Sequence, residues 1–138
     1  MPTAREIMTA GVTCAQENET LMDAARKMAE LNVGALPICG SDNQLKGMLT
    51  DRDIVVKVLA AGNDPTSVTV AQLAQGKPVT IGADDDSVEI LATMARHKVR
   101  RLPVIDGHDL VGIVALADVA RALPDQPVGD LLDTLSER

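Results

Sequence analysis

The sequence predicts a mixed α/β (α+β) chain in which the order strand, helix, strand, strand, helix is written twice. Three observations predict it. Apolar runs of strand length alternate with stretches of helical periodicity. The stretch Gly47-Met48-Leu49-Thr50-Asp51-Arg52-Asp53-Ile54 returns as Gly112-Ile113-Val114-Ala115-Leu116-Ala117-Asp118-Val119. Val33-Gly34-Ala35-Leu36-Pro37-Ile38-Cys39 lies over Val99-Arg100-Arg101-Leu102-Pro103-Val104-Ile105 at an offset of 66 residues. A unit of about sixty residues is too small to bury both faces of its own sheet, so the copies are expected to stack about a pseudo-twofold axis, with a cleft between them.

The elements follow in order. Ala4 to Met8 reads as a short helical lead, and Gly11 releases the chain into a brief strand, Val12-Thr13-Cys14. Thr20 with Asp23 forms a capping box, and Leu21, Ala24, Ala25, Met28 and Leu31 make one apolar helical face. Val33-Gly34 ends that helix, Ala35 to Cys39 is the second strand, and Gly40 to Gln44 is the turn into the third, Leu45 to Leu49. Thr50 is an N-cap with Asp53 in the first turn, and the helix from Asp51 runs through Ile54, Val55, Val58 and Leu59 to Gly62.

Gly62 to Ser67 is turn-forming, and then the pattern restarts. Val70 to Ala74 matches the lead, Val79-Thr80 the first strand, and Val88 to Met94 the first helix with a one-residue slip. The turn at Asp106-Gly107-His108-Asp109 is one residue shorter than its counterpart. The helix Leu116 to Leu123 is stopped by Pro124, and Val128 to Leu132 begins a short terminal helix resembling the lead. The expected division is 1-62, a first repeat with its lead helix; 63-69, a linker; 70-126, a second repeat; and 127-138, a C-terminal helical tail.

Composition narrows the function. The 138 residues are 46% hydrophobic but include no Phe, Tyr or Trp, so the core is aliphatic, six Met serve as fillers, and a ligand pocket has no aromatic stacking platform. A net charge of −7 argues against nucleic-acid and membrane-surface binding, which need a basic face. With no leader after Met1-Pro2-Thr3 and no apolar run near the roughly 18 residues of a membrane span, the expected location is cytoplasmic. The two histidines, His97 and His108, share no ligand spacing with a cysteine, so no metal is expected. The acidic run Ala83 to Ser87 reads as a solvated loop and helix start, with Asp85, Asp86 or Ser87 as cap. No nucleophile-base grouping, phosphate loop or dinucleotide fingerprint is present, and the chain is expected to be a non-enzyme.

Thr50 and Asp53 form the main candidate site. A carboxylate at a helix start can accept both hydroxyls of a vicinal diol, and a neighbouring threonine can donate to one. A plain capping box is the alternative reading of the same two residues. Backbone groups at Val12-Thr13 and Ala35-Leu36 can read an adenine edge, with Pro37 and the aliphatics covering its faces. Arg100 and Arg101, the adjacent arginine pair, can clamp phosphate or stand as a solvated edge.

Two units of this length and order, each with an apolar-Pro-apolar second strand and a Gly-x-x-(Thr)-x-x-Asp exit from the third, resemble a tandem pair of CBS domains, the Bateman module. The resemblance covers roughly residues 4 to 135. It implies two β-α-β-β-α repeats, an adenosine nucleotide (AMP, ADP or ATP) as ligand with no required cofactor, and a ribose-holding role for Thr50 and Asp53. In the second repeat only Asp118 matches, with Ala115 in the hydroxyl position, so a single asymmetric site on the first repeat is expected. A homodimer through the helix faces of Leu21 to Leu31, Ile54 to Leu59 and Leu116 to Leu123 is expected, as in other members, together with a protein partner whose identity the sequence does not give.

The cysteines admit two readings. Cys14 and Cys39 end strands expected to run side by side, and stand-alone family members with matching cysteines join them, so the resemblance implies a disulfide. A cytoplasmic setting favours two reduced thiols packed as small apolar residues. Ile81 or Gly82, with Ile105, stands at the matching positions of the second repeat. Two functions follow: a regulatory or sensor module binding a nucleotide in the cleft, or a stress- or redox-responsive interaction module with a vestigial nucleotide site and a structural disulfide.

Overall fold

A computed structural model describes residues 2–123. The stop at Pro124 and the helical tail expected over 127-138 lie outside the described residues. The described residues form two compact units, one made of residues 13–78 and the other of residues 2–12 with residues 79–123.

In the 13–78 unit, β2 (Ala15–Gln16) runs parallel to β3 (Ala35–Cys39), which pairs antiparallel with β4 (Leu45–Thr50). Helix α2 (Leu21–Leu31) starts at Thr20, whose hydroxyl accepts the Asp23 N–H at 3.1 Å while Asp23 accepts the Thr20 N–H. It ends at Asn32 in the left-handed region, φ 55°. Leu21, Ala24 and Met28 are buried with Leu36, Ile38, Leu49, Ile54, Val58 and Val70, an aliphatic core in which Leu31 takes no part.

In the other unit, α1 (Ala4–Ile7) and β1 (Thr9–Ala10) join the elements of the second repeat. The sheet order is β1, β7 (Asp109–Ala115), β6 (Arg101–Asp106), β5 (Ile81–Gly82), with β5 parallel to β6 and the other pairs antiparallel. Helix α4 (Ser87–His97) is capped by Asp86, which accepts the Glu89 N–H at 2.9 Å, so of the expected caps Asp85, Asp86 and Ser87 it is Asp86, the last of the three consecutive aspartates. Ala4 is fully buried with Ile90, Met94, Leu102, Val104, Val114 and Val119.

The compact units are therefore not the sequence repeats: the leads are exchanged. Ala4 N–H donates to Asp85 O and Arg5 N–H to Ala83 O, while Ser87 N–H donates to Pro2 O. The second lead makes the same three bonds 66 residues on, Val70 to Glu19, Ala71 to Glu17, and Leu21 to Val68. The lead counted with 1-62 in the sequence packs with the second repeat, and the 3-10 turn Val70–Leu73 packs with the first. Each repeat needs an apolar lead residue against its core, and chain continuity does not specify which lead supplies it.

Three expectations are corrected. Val12-Thr13-Cys14 is not a strand, and neither is Val79-Thr80; pairing instead occupies Thr9–Ala10, Ala15–Gln16 and Ile81–Gly82. The parallel ladders begin at Ile38 and Val104, just past Pro37 and Pro103, which have no N–H to contribute. The one-residue slip between the first helices is absent, since α4 begins 66 residues after α2. The helix after β4 begins as α3 (Asp51–Asp53) and widens into a π-helix over Ile54–Leu59, where Ala60 N–H reaches Val55 O at 2.8 Å and Asn63 N–H reaches Val58 O at 3.0 Å. Its counterpart α5 (Leu116–Ala122) remains an α-helix. The first carries Ile54, Val55, Val56 and Val58, whose branched side chains crowd an α-turn, against Val119 alone in the second. No helix of the described residues is long and apolar enough to cross a membrane.

Candidate functional site

Thr50 is the last residue of β4 and the N-cap of α3, with φ −113° and ψ 159°. Its hydroxyl accepts the Asp53 N–H at 3.1 Å, and Asp53 Oδ2 accepts the Thr50 N–H at 3.0 Å. The capping box is real, and it leaves two groups outside the cap: the Thr50 hydroxyl proton, and Asp53 Oδ1, which is ion-paired with Lys57 Nζ at 3.3 Å across one helical turn. A diol hydroxyl can donate to that oxygen and another can accept from Thr50 without breaking the cap.

The sheet brings further candidates to this point. Ala35 is the cross-strand partner of Thr50, Leu36 of Leu49 and Pro37 of Met48. Asp51 N–H donates to Gly34 O at 2.9 Å, tying the start of the helix to the start of β3. Ala35, Leu36 and Pro37 are buried. Val12 and Thr13 lie between β1 and β2 and belong to neither, so their backbone groups stand outside both ladders. Cys14, directly after them, is joined to Cys39 with a Cα–Cα distance of 5.7 Å, the bonded one of the two cysteine readings.

The second repeat assembles its own set. Arg101 is the cross-strand partner of Ala115, and Leu116 N–H donates to Arg100 O at 2.8 Å. Asp118 Oδ2 accepts the Ala115 N–H at 2.8 Å, and its Oδ1 takes a 2.6 Å hydrogen bond from Arg121 Nη2. Both carboxylate oxygens are thus engaged, and Ala115 offers no hydroxyl. Arg100 and Arg101 are exposed, and among the described residues neither forms an ion pair. Sequence reasoning placed Thr50, Asp53 and Asp118 at their helix starts but missed Lys57 and Arg121. Their spacing of four and three residues from the carboxylates was the available signal.

A duplicated β-α-β-β-α fold with a capped aspartate at the exit of each third strand defines a class. The family model for the CBS domain matches residues 4–60 and 70–125, and the chain belongs to the CBS-domain family as a pair of CBS domains, a module of regulatory type. Among its relatives, Hypoxic response protein 1 of Mycobacterium tuberculosis is 55% identical over 128 residues, 93% of this chain and 90% of that protein. A crystal structure of Hypoxic Response Protein I with two coordinated zinc ions matches with a TM-score of 0.82 at 56% identity, covering 89% of this chain and 100% of that one. The CBS domain-containing protein YhcV of Bacillus subtilis is 38% identical, over 100% of this chain and 98% of its own length. The CBS domain of a bacterial CNNM/CorC family Mg2+ transporter, solved in complex with ATP, is alike in fold alone, with a TM-score of 0.75 at 24% identity over 86% of this chain and 84% of that one.

Proposed function

We propose that this CBS-domain pair is a non-catalytic cytoplasmic regulator that binds an adenosine nucleotide, with the ribose hydroxyls on Thr50 and Asp53. The observation that supports it is the capping box at Thr50, which keeps an O–H donor free at the end of β4 beside Asp53 Oδ1, an oxygen outside the cap that is shared only with the half-exposed Lys57. Val12, Thr13, Ala35, Leu36 and Pro37 are the candidate adenine contacts, and Arg100 and Arg101 the candidate phosphate contacts. Asp118, closed off by Ala115 N–H and Arg121, has less capacity for a second ribose. Family membership supports the ligand class.

Calorimetric titration with AMP, ADP and ATP tests the reading. At a ligand concentration of a hundred times Kd the native state gains about 2.7 kcal/mol, readable as a rise in melting temperature. Asp53→Asn keeps an acceptor for the cap, loses the charge, and is expected to abolish binding; a larger effect from Asp118→Asn would move the site to the second repeat. Absence of binding by all three nucleotides refutes the proposal.

The observed disulfide favours a second reading, a redox-responsive interaction module, which retains partner binding when the nucleotide titration is silent. Exposed Leu31, Val55, Val56 and Leu59 on the first repeat's helical segments, with exposed Val33 in the loop after the first of them, support a homodimer and a protein partner. Light scattering that returns the mass of a single chain would remove the homodimer. Zinc belongs to the relative's structure. Among the described residues of this chain no three His, Cys, Asp or Glu side chains converge, and both cysteines are bonded.

A further inference from the structure

The two repeats allow a comparison within one chain. Ala15–Gln16 lies against Ile38 and Cys39 as Ile81–Gly82 lies against Val104 and Ile105. In this register Cys14 and Cys39 correspond to Thr80 and Ile105, not to Ile81 or Gly82. The second repeat forms the same two-residue parallel ladder with no covalent link, so the ladder does not require sulfur at either position. The bond in the first repeat therefore adds a constraint that the fold can do without.

Its placement gives the constraint a consequence. Cys39 is buried at the end of β3, whereas Cys14 is only half-buried, which makes it the more open of the two to a solvent-borne thiol. Cys14 stands just past the point where the chain passes from one compact unit to the other, next to Val12 and Thr13. Without the bond, the segment is still held by two ladder residues, by Ala15 buried in the core, by Gln16 N–H to Glu19 Oε1 at 2.8 Å and Glu19 N–H to Gln16 O at 3.1 Å, by Glu17 N–H to Cys39 O at 3.2 Å, and by Lys27, whose ammonium donates to Cys14 O at 3.0 Å while pairing with Glu19; Thr13 and Cys14 themselves lie outside the ladder.

We propose that the Cys14–Cys39 bond is a redox-operated latch on the segment Thr13–Gln16, and that opening it lowers the protein's affinity for an adenosine nucleotide. The second clause rests on the function proposed above. A dithiol reductant opens the latch by exchange: one thiolate attacks Cys14 Sγ, the protein S–S bond breaks, and Cys39 leaves as a thiolate and takes up a proton. The reductant's second thiolate then attacks the mixed disulfide and releases Cys14, which is protonated in turn. Two electrons and two protons pass to the protein, and the reductant ends as a disulfide. The freed segment must be re-ordered whenever ligand binds.

Hydrogen exchange on the full chain, with and without dithiothreitol, reads the latch. Amides of Thr13 to Gln16 are expected to exchange at least about tenfold faster on reduction, with Val79 to Gly82 unchanged as the internal control. Cys14→Ser is expected to show the reduced pattern in either buffer. Titration with AMP, ADP and ATP in both buffers is expected to show affinity about tenfold weaker when reduced, the equivalent of re-ordering roughly one backbone residue. Exchange at Thr13 to Gln16 that ignores the reductant overturns the latch. Faster exchange with unchanged nucleotide affinity overturns the coupling. Faster exchange with no nucleotide bound in either buffer upholds the latch and refutes the nucleotide reading.

Discussion

Replacing Ala115 with threonine should stabilise the protein, because the second repeat lacks half of a cap that its backbone is already shaped to accept. Ala115 has φ −107° and ψ 159°, against −113° and 159° at Thr50, and Asp118 already accepts the N-cap N–H as Asp53 does. The Asp118 N–H is what lacks a side-chain acceptor; at the equivalent Asp53 it is met by Thr50 Oγ1 at 3.1 Å. A hydroxyl cap in place of alanine contributes about 1 kcal/mol. For a chain of this size that corresponds to a rise of roughly 3 to 5 °C in Tm. Thr50→Ala should lose a similar amount, and the double exchange should nearly cancel, since the two positions share no partner. Urea unfolding checks the size of each effect, with the midpoint moving and the slope constant. If Ala115→Thr leaves the midpoint unchanged or lowers it while Thr50→Ala lowers it, the equivalence of the two helix starts is wrong.

Other consequences are equally direct. Hydrogen bonds from the Thr20 backbone and hydroxyl hold the Asp23 carboxyl below its ordinary range; the Gln44 backbone and Lys46 do so for Asp42, and the Thr66 backbone and hydroxyl for Asp64. These depressed groups contribute stability that is present above the unfolded carboxylate value of about 3.9 and is lost as pH falls through the folded values. Melting temperature is therefore expected to fall below about pH 4, less steeply in Asp64→Asn. Gly112→Ala should detach β1 from β7, since a Cβ there would lie 2.7 Å from Thr9 O and would meet the Met8 sulfur; the cost is roughly 1 to 3 kcal/mol, read by thermal unfolding. Cys14→Ser opens a loop with a sequence separation of 25 and is expected to cost up to about 3.5 kcal/mol in oxidising buffer and almost nothing in reductant. An equal loss in both buffers would mean that the serine itself disrupts packing.

The sequence by itself determined the duplication, the element order and the local signals that depend on neighbours a few residues apart. Thr20 with Asp23 and Thr50 with Asp53 are capping boxes in the structure as in the sequence, because an N-cap bond closes within three residues. The conserved spacing between the repeats also carried the family. Only the tertiary structure decided what depends on partners far along the chain. The exchange of Ala4 and Val70 between repeats is one such feature, because either lead can fill either core and the choice is made by packing. The strands at Thr9–Ala10 and Ala15–Gln16 are another: apolar Val12 reads as strand locally, but pairing is set by β7 and by where Pro37 lets β3 begin a parallel ladder. The joining of Cys14 to Cys39 is the last, since two thiols 25 residues apart meet only after β2 and β3 have found their register.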